Sequence, residues 1–429
     1  MSIRIIISVD LKRVFFYGVL AILLSPLCLS VGLLAEEKDG ADGVDYCRTC
    51  HQELEVLPSD FHQEDIHLQR GLSCAGCHGG DPSQEDMDMA KRKSTGFRGV
   101  PARKDIPDFC GRCHSDIKLM RAFQPRIPTD QVDQYYTSLH GQKFKKGDSR
   151  VATCISCHTG HAILSAKDTR SSVHPLKVPA TCDHCHGDAD YMKPYGIPTD
   201  QYEAYAASVH GVALLENQDT GSPACNDCHG NHGAMPPGIT SIAHVCGLCH
   251  VNNMQYFSKS KMGRIFEEQE LHACEECHGN HRVLKTSDDM VGTGEKSVCL
   301  ECHAEGDAGF QVAAQLHAEL DSLVNAYAHA EDRLAHVQRI GMDDVEIGFS
   351  LQNAKQSLIK ARTLVHTFDP AQVGALSGEG EEHAAQAIKL AESQIHEYAV
   401  RRKGFGITTI FITILIIALF FKIREIDRK

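Results

Sequence analysis

The apolar positions of this chain are periodic only near its C-terminus, and the long middle shows almost no repeat of helix or strand type. Leu316, Leu320, Leu323, Tyr327, Ala330, Leu334 and Val337 alternate steps of four and three, which predicts a helix packed along one seam. Gly341-Met-Asp-Asp interrupts it. Leu351, Ala354, Leu358, Ala361 and Val365 predict a second helix, ending near Asp369-Pro370. The glycine-rich stretch 374–380 reads as a loop before a third helix through Ala384, Ile388, Ala391, Ile395 and Tyr398. Residues 311–400 are thus expected to form a three-helix region whose last helix runs on toward an uncharged stretch, 404–421. That stretch spans roughly 27 Å as a helix, enough for the hydrocarbon core of a bilayer. It predicts a transmembrane helix with residues 422–429 as a cytoplasmic tail carrying Lys422, Arg424, Arg428 and Lys429. At the other end, Arg4, Lys12 and Arg13 precede an uncharged run, so 1–35 reads as a signal peptide or N-terminal anchor and the middle as exported.

The middle is organised by chemistry instead. Nine times the chain reads Cys-x-x-Cys-His: Cys47/Cys50/His51, Cys74/Cys77/His78, Cys110/Cys113/His114, Cys154/Cys157/His158, Cys182/Cys185/His186, Cys225/Cys228/His229, Cys246/Cys249/His250, Cys274/Cys277/His278 and Cys299/Cys302/His303. Two thiols three positions apart on a helical turn form thioethers to the vinyl groups of one haem, and the histidine lies under the iron as its proximal ligand. Zinc sites need four ligands and no histidine fixed beside every second cysteine, and disulfides give that histidine no role. The expectation is nine covalently bound haem c groups. Motifs begin about 31 residues apart, which leaves little chain for extended sheet. Trp is absent and aromatics are 6% of residues, so porphyrins would supply much of the apolar core. A net charge of −13 disfavours a nucleic-acid partner. The fold expected is mainly α with much irregular structure: a nonahaem domain over 45–310 wrapped around stacked haems, then the helical region and the membrane helix.

Internal repetition supplies distal candidates. Ile127-Pro-Thr-Asp-Gln131 recurs 70 residues later as Ile197-Pro-Thr-Asp-Gln201, and Ser138-Leu-His140-Gly recurs as Ser208-Val-His210-Gly. The element Cys-x-x-Cys-His-x-x-His ends at His161 and again at His232, and His174 matches His244. A degenerate third copy reads Ser260-Lys-Met262-Gly263 and leads into an element ending at His281; Asp65-Ile-His67 resembles a shorter version. His67, His140, His161, His174, His210, His232, His244, His272 and His281 are the expected distal ligands, with His62 and His184 weaker candidates. Met262 stands where the repeat calls for histidine. It is either a ligand itself or a packing residue beside a haem served by His272, with Lys259, Lys261 or an open site as further alternatives. Of His317, His329, His336, His366, His383 and His396 in the helical region, most read as solvent-facing, and one or two are candidates to cap a nearby haem.

With these motifs the chain resembles the multihaem cytochrome c superfamily, which includes c3- and c554-like carriers, octahaem cytochromes and, more distantly, cytochrome c nitrite reductase and hydroxylamine oxidoreductase. The resemblance covers the nine motifs and the two histidine elements. There is no Cys-x-x-Cys-Lys motif, so the lysine-ligated catalytic haem of the nitrite reductases has no counterpart. The resemblance implies one of two activities. The first is a conduit at the periplasmic face of the cytoplasmic membrane, passing electrons between a quinol-oxidising cytochrome complex and periplasmic redox proteins. The second is a reductase acting on nitrite, hydroxylamine or a sulfur oxyanion at one haem that lacks a second histidine. The surplus of histidines favours the conduit, since an active site requires a missing ligand.

Overall fold

The computed structural model describes residues 44–238 and 241–428, so the N-terminal segment and Cys28 lie outside the described residues. The chain divides after Pro101 into two units. Among the described residues there is no strand, and the haem-motif region is a succession of short helices joined by irregular loops.

In the first unit, α1 (Tyr46–Glu53) carries one motif and α2 (Cys74–His78) the next. Gly79 ends α2 at φ 70°, and a Cβ there would fall 1.9 Å from the Gly96 carbonyl oxygen, so only glycine fits this crossing.

The second unit repeats a pattern. A motif helix, α3 (Ile106–His114), is followed by α4 (Gln131–Thr137), α5 (Leu139–Lys145) and the short motif helix α6 (Cys154–His158). The next round is α7 (Val178–His186), α8 (Gln201–Ala206), α9 (Val209–Gly211) and α10 (Cys225–His229). The third is α11 (Ile242–Gly247), α12 (Val251–Lys259), α13 (Lys261–Glu268) and α14 (Cys274–His278). The degenerate copy therefore keeps the architecture of the other two.

Three long helices follow: α15 (Ala308–Arg339), α16 (Val345–Leu364) and α17 (Pro370–Ile426). Asp307 starts α15 by accepting from Phe310 N at 2.7 Å. The expected seams are the core: Leu316 and Leu320 are buried with Ala361 of α16 and Val373 of α17, Ala330 and Val337 with Leu351 and Ala354 of α16 and Ala384 and Ala391 of α17, and Leu323 is fully buried as well. The expected loop at 374–380 is instead helical. Pro370 occupies the first turn, Asp369 caps it by accepting from Ala371 N at 3.0 Å, and Gly374 and Gly380 are contact points, whereas Gly378 faces open space. A Cβ on Gly380 would lie 2.7 Å from a Leu323 methyl, so glycine here lets two helices approach closely. Beyond the bundle α17 continues without a break through 404–421, where the most apolar window is entirely unburied. A core helix of such composition would be covered by protein, so this exposed segment is consistent with a single membrane anchor.

Candidate haem sites

Two kinds of local turn aim histidines at the motifs. The first follows the five-residue motif helices. α6, α10 and α14 each stop at a residue with positive φ, namely Thr159 (66°), Gly230 (84°) and Gly279 (72°). This positive φ, paired with a ψ of 162–178°, ends the helix and turns the chain, and the last histidine of the Cys-x-x-Cys-His-x-x-His element comes two residues later. The His232 ring centre lies 6.1 Å from that of His158, with the planes 13° apart. His281 lies 6.0 Å from His229 at 14°. Each such histidine faces the motif two places earlier in the chain.

The second kind is the Ser-x-His-Gly element. Ser138 and Ser208 each accept from the backbone N–H of the glycine three residues on, at 2.9 Å. A Cβ on Gly141 or Gly211 would sit 1.9 Å from the carbonyl oxygen of Tyr135 or Tyr205, so the helix pairs α4–α5 and α8–α9 cross at closest approach. The tyrosine hydroxyls then donate to Ala152 O and Pro223 O at 2.9 Å, two residues ahead of the next motif. Neighbouring repeats are stitched together as well: Leu139 N donates to Ala234 O at 3.1 Å, and Val209 N donates to Val283 O at 2.8 Å. Held this way, His140 stands 6.1 Å from His186 at 64°, and His210 stands 6.3 Å from His250 at 45°. Each of these histidines faces the motif two places later.

A fifth pair comes from outside the repeats. His366, in the turn after α16, lies 6.1 Å from His278 with the planes at 24°. Its Nδ1–H donates to Thr363 O at 3.0 Å, which leaves Nε2 as the free nitrogen. His229 is oriented likewise toward Met235 O at 3.3 Å, and in the first unit His78 toward Gly99 O at 2.9 Å.

The spacing can be tested against an iron between the rings. Two imidazoles on one metal, each nitrogen about 2 Å away with its ring centre roughly 1 Å behind, put their centres about 6 Å apart. All five pairs fit. Burial, reinforced by the facing imidazole, pushes the pKa of His158, His210 and His278 down, which keeps these rings neutral with a lone pair to give. In the first unit burial, with Lys91 and His78 nearby, lowers that of His51 in the same sense. Among the described residues no three or more His, Cys, Asp or Glu side chains converge as a zinc cage would require.

The cysteines link consecutive motifs. In the second unit the first cysteines of successive motifs make thiol contacts: Cys110 with Cys154, Cys182 with Cys225, and Cys274 with Cys246. Between those pairs Cys157 lies within electrostatic reach of Cys185, Cys228 of Cys246, and Cys277 of Cys299. The motifs from Cys110 to His303 therefore follow one another in space as they do in sequence. In the first unit Cys47 and Cys74 are neighbours in the same way.

The second cysteines do not all sit as the motif predicts. Cys50, Cys77 and Cys113 are half-buried on α1, α2 and α3, each one helical turn after its partner, as expected. Cys249 departs from the expected helical turn. α11 ends at Gly247, so Cys246 is helical whereas Cys249 lies in the turn beyond, exposed, with its N–H donating to Cys246 O at 3.3 Å. The cause is a tightened helix end: Leu248 N is shared between the carbonyls of His244 and Val245. Cys249 stays within electrostatic reach of Cys228, so the turn keeps it beside the preceding motif. The last motif departs further, since Cys299 lies in a 3₁₀ turn, Val298–Glu301, that Cys302 terminates.

Other expected ligands are placed differently. His174 is buried, and its Nδ1 accepts from Leu176 N at 3.3 Å. His244 is exposed on α11, two residues before Cys246. His272 is turned toward Glu275, with Nδ1 3.5 Å from the carboxylate. None of these three has a motif histidine against its ring among the described residues. His174 and His244 share their spacing of 70 residues with the repeat, and His244 rides on the helix that carries Cys246. His67 is held by buried Asp65, which accepts its backbone N–H at 2.8 Å, and His161 is half-buried beyond Thr159. His366 is legible in the sequence only as one of six histidines in the helical region, because it belongs to no repeat.

A family model described as cytochrome c3 matches residues 66–187, a stretch that takes in the motifs at Cys74, Cys110, Cys154 and Cys182. The match supports a multihaem cytochrome c. It implies covalently bound haem c and suggests electron transfer. No curated protein and no solved structure matches the chain.

Proposed function

We propose that this chain is a membrane-anchored periplasmic electron conduit carrying nine covalently bound haems. In this reading it passes electrons between a quinol-oxidising cytochrome complex in the cytoplasmic membrane and periplasmic redox proteins. The eighteen motif cysteines, Cys47 to Cys302, hold the haems and the nine motif histidines are the proximal ligands. His140, His210, His232, His281 and His366 are the distal ligands for which the geometry gives direct support. When bound, haem c supplies an iron that takes up and releases one electron.

The observation that carries this reading is the set of five histidine pairs, all at 6.0–6.3 Å, on motifs that neighbour one another in chain order. Two histidines per iron leave no coordination position for a substrate, as a carrier needs and a reductase does not. Short separations between consecutive motifs give the path. The bundle of α15 to α17 fixes that path to the exposed apolar helix, which would hold it beside a membrane donor.

The test uses inverted and right-side-out membrane vesicles containing the full chain. Adding a quinol should reduce the haems of the intact protein when the donor complex is present. Truncation after Lys403 should leave a haem-loaded protein that washes off the membrane and is reduced at least tenfold more slowly. Haems that stay oxidised in the intact vesicles, or reduction that needs no membrane anchor, would refute the proposal.

A further inference from the structure

The third repeat keeps the scaffold of the Ser-x-His-Gly element but replaces its histidine. Ser260 Oγ accepts from Gly263 N at 2.9 Å, as Ser138 and Ser208 do from their glycines. A Cβ on Gly263 would meet the Phe257 carbonyl oxygen at 2.1 Å, against 1.9 Å at the tyrosine carbonyls of the other copies. The backbone of Met262 therefore matches that of His140 and His210. Those two histidines face the motif two places later, at His186 and His250. Counting the same way from Met262 passes the motif at Cys274 and arrives at His303.

His303 is also the exception among the motif histidines from His158 onward. His158, His186, His229, His250 and His278 each have a second imidazole about 6 Å away. No histidine ring faces His303 among the described residues. Its own side is fixed: Nδ1 lies 3.4 Å from Asp307, the residue that caps α15, and Gly309 leaves room for the ring where a Cβ would stand 2.1 Å from it. Met262 is half-buried on an apolar cluster with Phe257 and Ala273, a setting that suits a thioether better than a hydrated lysine. Lys259 and Lys261, its neighbours, are exposed.

We infer that Met262 is the distal ligand of the haem attached at Cys299 and Cys302, giving one His/Met site at the end of an otherwise bis-histidine series. This rests on the haem reading above. A thioether favours ferrous iron, so this site would have a higher potential than its bis-histidine neighbours. It closes the row of motifs that begins at Cys110, next to the start of α15, and would draw electrons to that end.

The experiment is an absorption spectrum and redox titration of the full haem-loaded chain and two variants, after intact-mass measurement of haem content. The wild type should show the red methionine-to-iron charge-transfer band in the oxidised state. Met262→Leu should lose the band and convert one haem to high spin. Met262→His, which the first two copies show the backbone accepts, should lose the band, stay low spin and lower the most positive reduction wave. A wild-type spectrum without the band, or a band that survives Met262→Leu, would overturn the inference. So would a high-spin haem in the wild type that neither variant changes. Fewer than nine haems by mass would instead count against the proposed function, so the two failures are separable.

Discussion

The imidazole of His366 faces that of His278 across 6.1 Å, joining the turn after α16 to a motif helix 88 residues earlier. In the proposed reading the helical region is thus more than a stalk for the apolar helix, because it would supply a distal ligand to a haem. Arg362, one turn before, reinforces the contact by gripping Asp288 with two hydrogen bonds of 2.8 and 2.7 Å.

Replacing His366 with Ala should therefore leave the haem count unchanged, since neither thioether is touched. One haem should pass from low spin to high spin, visible by paramagnetic resonance of the oxidised protein. An unaltered low-spin spectrum would show that His366 is not a ligand.

The ring planes divide the pairs into two classes, and this too is measurable. His158–His232, His229–His281 and His278–His366 are within 24° of parallel, whereas His210–His250 and His140–His186 cross at 45° and 64°. Parallel imidazoles lift the degeneracy of the iron orbitals more than crossed ones do. The oxidised protein should accordingly show both rhombic and strongly anisotropic low-spin signals. Loss of His210 or His140 should remove only the anisotropic kind.

Gly211 offers a stability test of the Ser-x-His-Gly element. A Cβ there would lie 1.9 Å from the Tyr205 carbonyl oxygen, so Gly211→Ala must push α8 and α9 apart. A loss of about 1–3 kcal/mol is expected, measured by denaturant unfolding, together with weakened ligation at the His250 haem. A variant as stable as the wild type would mean that the crossing is loose.

Much of this is legible in one dimension because covalent haem attachment demands fixed residues at fixed spacing. The helix seams are legible too, as at Leu316, Leu320 and Leu323, where burial follows the apolar period directly. Three things are not. Glycines at 374–380 look like a loop, yet Gly380 is small because Leu323 of another helix needs its space. The motif spacing is the same at Cys246/Cys249 as at Cys110/Cys113, but only the latter pair shares a helix, since the spacing fixes the chemistry and not how the turn ends. Recurrence singles out His174 and His244, whereas His366, whose ring faces that of His278, occurs once. It reports duplication of chain, whereas ligation depends on which ring the folded chain turns toward which motif.

The proposed conduit puts an iron between the paired rings, and an anomalous diffraction map of the haem-loaded protein at the iron edge tests this most directly. A peak is expected midway between the ring centres of each pair: His140–His186, His158–His232, His210–His250, His229–His281 and His278–His366. Neighbouring peaks should follow the order of the motifs. Peaks displaced from those midpoints, or pairs with no peak between them, would contradict the assignment.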